Sequence, residues 1–244
     1  MKPPNESRDA IRLYLDEFED QLIGGTDPNP ADYDDLLWEQ TRVRLHKSAL
    51  SMIGKRRMHQ LRTATEIVLG ENVPGDFIET GVWRGGACVM IREILKAYGE
   101  TTRKVYVADS FCGLPQPNPE KYPADLGDKH HTFTAVAIPI EEVKKNFILP
   151  DPQVEFVQGW FKDTLPHLTG PFALIRLDGD LYESTMDSLS NLYDKVSERG
   201  FIIIDDYCLP GCIQAVQDFW AARGLQPRVT VIDECGIFWR KNAD

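Results

Sequence analysis

Long apolar runs are missing from this chain. No stretch approaches about 18 uninterrupted apolar residues, and the opening MKPPNESRDAIRLYLDEF lacks the apolar centre of a signal peptide. Neither a membrane span nor a secretion signal is expected, and the cytoplasm is the expected location. Cysteine is scarce: Cys88, Cys112, Cys208, Cys212 and Cys235 are odd in number and form no CxxC pair. A reduced protein with unbridged thiols is the simplest expectation. Cys208 and Cys212 have helical spacing, but Pro210 and Gly211 between them are expected to break any helix there. Positive charge is also short, with 27 Lys and Arg against 38 Asp and Glu and a net charge of −11. Such a surface repels nucleic-acid backbones and anionic membranes, so neither is an expected partner. Local basic clusters such as Lys55, Arg56 and Arg57 read as a solvated helix face.

What is present fits one globular α/β domain with an N-terminal appendage: 244 residues, 42% apolar and 27% charged. Residues 1–70 read as a helical extension or lid, and 71–244 as the main domain. Within the extension, Ile11, Leu15, Phe18 and Leu22 recur at helical spacing over Ala10–Ile23, a stripe suited to docking or to an interface between copies. Gly24–Pro30 reads as a connector. Leu36–Leu69 has the pattern of two or three helices, read as a layer over the sheet. From Gly75 onward strands and helices alternate, the signature of a parallel sheet with crossover helices. The stretch Ser110–Pro139 is long and proline-rich, as functional loops are, and carries the pair His130 and His131, read as solvated. The chain closes in a hairpin around Glu234, Cys235 and Gly236.

Two apolar runs end abruptly in acids. PFALIRLDGDLY delivers Asp178 and Asp180, and FIIIDDY delivers Asp205 and Asp206, 27 and 28 residues beyond Asp178. That spacing leaves room for one helix, expected over Ser184–Arg199, between neighbouring parallel strands. Unpaired ionised carboxylates are costly in an apolar interior, so such strands should emerge at a polar site, which in an open α/β sheet lies beyond the strands' carboxyl ends. Asp178, Asp205 and Asp206 are expected to share one divalent cation, with Asp180 close by, either supporting the ligands or capping the following helix.

A second constellation begins at Glu79, Thr80, Gly81, Val82 and Gly85, where a strand turns through glycines into a helix. Glycine there allows close approach of a ligand to the backbone, and the helix N-terminus offers free amides. The next strand ends at Asp109, 30 residues past Glu79, where an acid typically takes ribose hydroxyls. The turn reads E-x-G-x-x-x-G rather than GxGxxG, which favours S-adenosylmethionine over a dinucleotide.

The segments DFIETGVWRGG, VYVADSFCGLP, IRLDGDLYESTMDSL and IIIDDY resemble the macrocin O-methyltransferase family, which methylates sugar hydroxyls on macrolide and related antibiotics. The resemblance spans about residues 50–244. It implies a Rossmann-like class I methyltransferase fold, with a seven-stranded, mostly parallel sheet whose last strand is antiparallel, and it implies S-adenosylmethionine and a magnesium ion. It further implies that Glu79 and Gly81 lie near the methionine moiety, Asp109 and Ser110 near the ribose, and Gly159, Trp160 and Phe161 near the adenine. Asp178, Asp205 and Asp206 match the family's metal ligands, and the resemblance suggests that Asp178 also accepts the proton. The implied substrate is a small-molecule glycoside, and the implied assembly a homo-oligomer. The residues by themselves leave room for a catechol-type O-methyltransferase, a nucleotide-binding oxidoreductase or a non-catalytic binding module.

Overall fold

The computed structural model describes residues 7–25 and 32–242. Most of the connector expected at Gly24–Pro30 lies outside them.

Seven strands form one sheet in the order β3-β2-β1-β4-β5-β7-β6. They are β1 (Asp76–Thr80), β2 (Val105–Asp109), β3 (Val154–Gln158), β4 (Phe172–Leu177), β5 (Val196–Ile204), β6 (Thr230–Val231) and β7 (Ile237–Arg240). Strands β1 to β5 run parallel, and β7 enters antiparallel beside β5. The parallel strands with crossover helices are those the alternation of the sequence predicts, and the seven-stranded Rossmann-like class I arrangement with its antiparallel last strand is the one the family resemblance implies. The central strand β4 is buried along its whole length, as expected for a strand covered on both faces.

The helices are α1 (Arg8–Leu22), α2 (Asp35–Thr41), α3 (Gly54–Gly70), α4 (Gly86–Ala97), α5 (Ile140–Lys144), α6 (Phe161–Thr164), α7 (Tyr182–Leu192) and α8 (Pro210–Arg223). The stripe on α1 faces its own chain: Leu15 and Leu22 are buried in one continuous core with Met58 and Leu61 of α3, Phe77 of β1 and Ile91 of α4. It is therefore not a free interface between copies. Arg62 of α3, itself buried, ties α1 down through Asp16 at 2.6 Å and Glu19 at 3.1 Å.

Two boundaries differ from the sequence reading. Helix α7 stops at Leu192, a 3-10 turn follows over Tyr193–Lys195, and β5 already begins at Val196, where a helix to Arg199 was expected. Val196 pairs with Phe172 of β4, so the polar Ser197, Glu198 and Arg199 belong to the first part of a strand rather than to a helix face. Helix α8 starts at Pro210 and includes Gly211 and Cys212. A proline in the first turn loses no intrahelical hydrogen bond, so Pro210 begins this helix instead of breaking it.

The cysteine expectation also fails. Cys208 and Cys235 form a disulfide, with Cα atoms 4.5 Å apart. Antiparallel pairing sets Ile237 of β7 opposite Ile204 of β5, so the residues just after β5 meet those just before β7. Cys88, Cys112 and Cys212 are free.

Candidate active site

The register of the sheet brings the acids together. Thr80 of β1 lies beside Leu177 of β4, and Leu177 beside Ile204 of β5, so the next residues, Asp178 and Asp205, leave the sheet side by side. The Asp178 N–H donates to the Thr80 carbonyl and the Asp205 N–H to the Leu177 carbonyl, each at 2.9 Å. Beyond these strand ends lies a cavity of about 360 Å³, whose wall includes Gly81, Asp109, Ser110, Trp160, Phe161 and the four aspartates 178, 180, 205 and 206.

Carboxylate oxygens of Asp178, Asp205 and Asp206 all lie within 4.8 Å of one another. Burial pushes Asp205 up to about 6 against the pull of Arg176, and burial together with the Asp178 charge pushes Asp180 up to about 7. Asp206 is driven well above the usual carboxylate range by burial and by its neighbours Asp180, Asp178 and Asp205. Asp180, at φ +57°, donates its own N–H to Asp206 at 3.0 Å and so supports that carboxylate. It does not cap α7.

Two arginines answer this charge. Arg176, buried in β4, pairs with Glu79 and Asp205 and reaches Asp178 at 2.8 Å. Arg57 of α3 pairs with Asp205 and, at 3.0 Å, with Asp233 before β7. Arg57 thus lines the site instead of standing on a solvated face. The two guanidiniums pair with Glu79, Asp178, Asp205 and Asp233, while Asp180 and Asp206 add to the same cluster, an excess of negative charge that an oxygen-seeking divalent cation would relieve. The donor set fits magnesium.

At Gly81 the close approach comes from the protein itself. With φ at +85°, a Cβ there would sit 1.7 Å from the Asp178 carbonyl oxygen, so this glycine lets β1 and β4 end against each other. Glu79 stays behind the cavity wall. Besides Arg176 it accepts from the Cys88 thiol at 3.0 Å, and burial raises it to about 7. Thr80 receives the Ser188 hydroxyl at 3.2 Å, and the Val82 N–H donates to Asp109 at 2.8 Å. Gly85, at φ +86°, starts α4, and Gly159, at φ +141°, follows β3. Asp109 also accepts the Phe111 N–H at 2.8 Å, and burial still holds its pKa above the usual value.

Trp160 is partly exposed on the cavity wall, and Trp83 donates its indole N–H to the Ala135 carbonyl at 3.0 Å. Tyr182 turns instead to Asp218, at 2.9 Å. The opposite side of the cavity is built by residues that sequence reasoning passed over: Thr41, Val43 and Met52 from the N-terminal extension, with Phe133 and Val136 from the long loop. Gln40 of α2 joins the two, donating to Thr134 at 3.0 Å and accepting the Ala135 N–H at 2.8 Å. Asp125 and Arg176 were missed as well. Arg176 had a signal, a lone charge inside the apolar FALIRL run.

Comparison with known proteins agrees with this fold. A family model described as Macrocin-O-methyltransferase (TylF) matches residues 30–241. The chain is 47% identical over 200 residues, 80% of its length and 77% of the relative's, to the 8-demethyl-8-(2,3-dimethoxy-alpha-L-rhamnosyl)-tetracenomycin-C 4'-O-methyltransferase of Streptomyces olivaceus. It is 41% identical to the demethyldecarbamoylnovobiocin O-methyltransferase of Streptomyces niveus, covering 97% of this chain and 96% of that one. The solved structure of the O-methyltransferase NovP superposes with a TM-score of 0.85 at 41% identity, over 96% of this chain and all of that one. The calicheamicin methyltransferase CalS11, at 17% identity and a TM-score of 0.62, shares the fold.

Proposed function

Because this chain belongs to the macrocin O-methyltransferase family and is an O-methyltransferase, we propose that it uses S-adenosylmethionine and Mg2+ to methylate a sugar hydroxyl of a glycosylated natural product. The observation that carries this reading is the triad of aspartate oxygens within 4.8 Å of one another, on the wall of a cavity at the carboxyl ends of the strands. The relatives named for tetracenomycin, novobiocin and mycinamicin O-methylation support a glycoside as acceptor.

In this reading Asp109 and Ser110 take the ribose hydroxyls, and Gly159, Trp160 and Phe161 frame the adenine. The turn of Glu79, Thr80, Gly81, Val82 and Gly85 shapes the methionine end, with Glu79 acting through Arg176. Asp178, Asp205 and Asp206 hold the magnesium ion. A bound divalent ion lowers the pKa of a hydroxyl that touches it and fixes its direction. Asp178 is the catalytic residue, holding the ion and accepting the proton of the reacting hydroxyl. Residues 1–70 and the long loop close over the acceptor while residues 71–244 bind the donor, which keeps water from the sulfonium. The enzyme works in the cytoplasm as a dimer or larger homo-oligomer. Among the described residues no helix is long and apolar enough to cross a membrane.

The test is a panel of glycosylated macrolides and aminocoumarins with catechol as control, each with and without EDTA, the methylated position being assigned by NMR. Sugar methylation that stops with EDTA and returns with Mg2+ is expected, and Asp178→Asn should stop turnover while S-adenosylhomocysteine still binds. Methylation of catechol alone, or turnover indifferent to EDTA, would overturn the reading.

A further inference from the structure

The glycine-rich turn between β1 and α4 holds more than its own strand. Trp83 donates its indole N–H to the Ala135 carbonyl at 3.0 Å, and the Ala135 N–H donates to the Gln40 side chain at 2.8 Å, so one residue of the long loop is held from two sides. The next residue, Arg84, holds the N-terminal extension. Its Nη1 donates to the Lys47 and Ala49 carbonyls, each at 2.9 Å, and its Nη2 pairs with Asp34 Oδ2 at 2.6 Å. Asp34 Oδ1 in turn accepts the Leu37 N–H at 3.0 Å and caps α2. Arg84 thus fixes the start of α2, while Gln40, near its end, fixes the loop. Thr41 and Val43 follow α2, and with Phe133 and Val136 of the loop they form the far wall of the cavity.

Trp83 has a left-handed backbone at φ +48°, which costs a residue with a side chain about 1–3 kcal/mol and persists only where the surroundings fix it. Contacts on both sides do so here. Its neighbour Val82 donates its N–H to Asp109 at 2.8 Å, and on the other side stand the bond to Ala135 and the Arg84 guanidinium, 4.2 Å from the centre of the Trp83 ring. Asp109 is the residue given above to the ribose of the donor. A donor seated there holds the turn from one side, and the far wall holds it from the other. Two partners that favour the same backbone conformation favour each other, and the coupling acts equally in both directions.

We propose that Trp83 and Arg84 are positioning residues that couple the two substrates: a donor on the turn draws the far wall into place and so tightens the glycoside. The inference rests on the methyl-transfer reading above and deepens it, since the acceptor then meets a formed wall only once the methyl donor is in place. Neither side chain touches the reacting atoms in this role.

The test titrates demethyldecarbamoylnovobiocin calorimetrically into wild type, Trp83→Phe, Arg84→Gln and Arg84→Lys, in Mg2+, with and without saturating S-adenosylhomocysteine. In wild type the cofactor product should tighten the glycoside by about 5- to 150-fold. In Trp83→Phe, which keeps a ring and loses only the N–H donor, and in Arg84→Gln that ratio should fall to within about twofold of one, although S-adenosylhomocysteine still binds. Arg84→Lys keeps the charge facing Asp34 and should recover part of the ratio. A merely structural loss would weaken the glycoside alike in both titrations and leave the ratio standing. Amide exchange gives a second readout that needs no glycoside: S-adenosylhomocysteine should slow it over residues 34–49 and 133–136 in wild type and not in Trp83→Phe. A wild-type ratio of one, or a ratio unchanged in both Trp83→Phe and Arg84→Gln, overturns the proposal. If wild type binds S-adenosylhomocysteine but not the glycoside, the substrate reading alone falls, and exchange that the cofactor product leaves unslowed in those segments then overturns this one.

Discussion

Arg176 and Asp178 stand two residues apart on the same strand line, and the guanidinium of the first reaches the carboxylate of the second at 2.8 Å. Through its other contacts Arg176 also binds Glu79 and Asp205, so one buried cation sets the spacing of three acids. Removing it strands the buried carboxylates of Glu79 and Asp205. Arg176→Leu is expected to cost about 3–5 kcal/mol, the usual loss when one partner of a buried ion pair is removed. Urea unfolding would measure it, and Arg176→Lys, which restores the charge without the fork, should lose less.

Glu79 gives the metal-free protein a pH dependence with a definite sign. Burial raises its pKa from 4.5 to about 7, so between those values the folded state binds a proton that the unfolded chain releases. Stability from this group is fully present below 4.5 and is lost as pH rises through 7, an effect of about 3 kcal/mol by linkage. Unfolding free energies measured from pH 4.5 to 8 should fall along that slope in wild type. Asp180, Asp205 and Asp206 are raised with the same sign, so Glu79→Gln should make the slope shallower without removing it, and an unchanged slope in that variant would assign the dependence elsewhere.

Much of this site could be read from the sequence because local rules decide it. The acid-tipped runs at Leu177 and Ile204 and the glycine turn after Thr80 each follow from their immediate neighbours, and parallel pairing of adjacent strands aligns Asp178 with Asp205. What the sequence hid depends on distant partners. Arg57 lies 148 residues from Asp205, and nothing near it distinguishes a site arginine from a solvated one. The closing hairpin was legible, but the Cys208–Cys235 bond depends on β7 pairing beside β5, which brings together two cysteines 27 residues apart. The Gly81 requirement was visible, but its cause, the Asp178 carbonyl, was not.

That disulfide closes a separation of 27 residues and sits at the cavity beside the Arg57–Asp233 pair. A loop of that length corresponds to roughly 3–4 kcal/mol in the chain-entropy account. Cys208→Ser combined with Cys235→Ser should therefore lower the urea midpoint. Reducing the wild type with dithiothreitol should shift it equally, whereas the same treatment of the double variant should do nothing. A double variant as stable as wild type would show that the bond constrains little.

Asp125 makes the sharpest separation between the two sides of the cavity. It holds the long loop to the first turn of α7, and Tyr122 adds to the clamp by stacking on Tyr182 at 4.7 Å. The residues that the proposed function gives to the methyl donor, Gly81, Asp109 and Trp160, make no use of this contact. Asp125→Ala leaves the part-buried Tyr182 N–H without its acceptor, a loss of about 1 kcal/mol, and frees the segment that carries His130 and Phe133. The KM for the glycoside should rise by about tenfold or more, while the affinity for S-adenosylhomocysteine stays as in wild type. Amide exchange over residues 123–136 should speed up in the same variant. If both ligands weaken together, Asp125 supports the fold as a whole rather than the acceptor side, and the loop is not the element that decides what sugar is methylated.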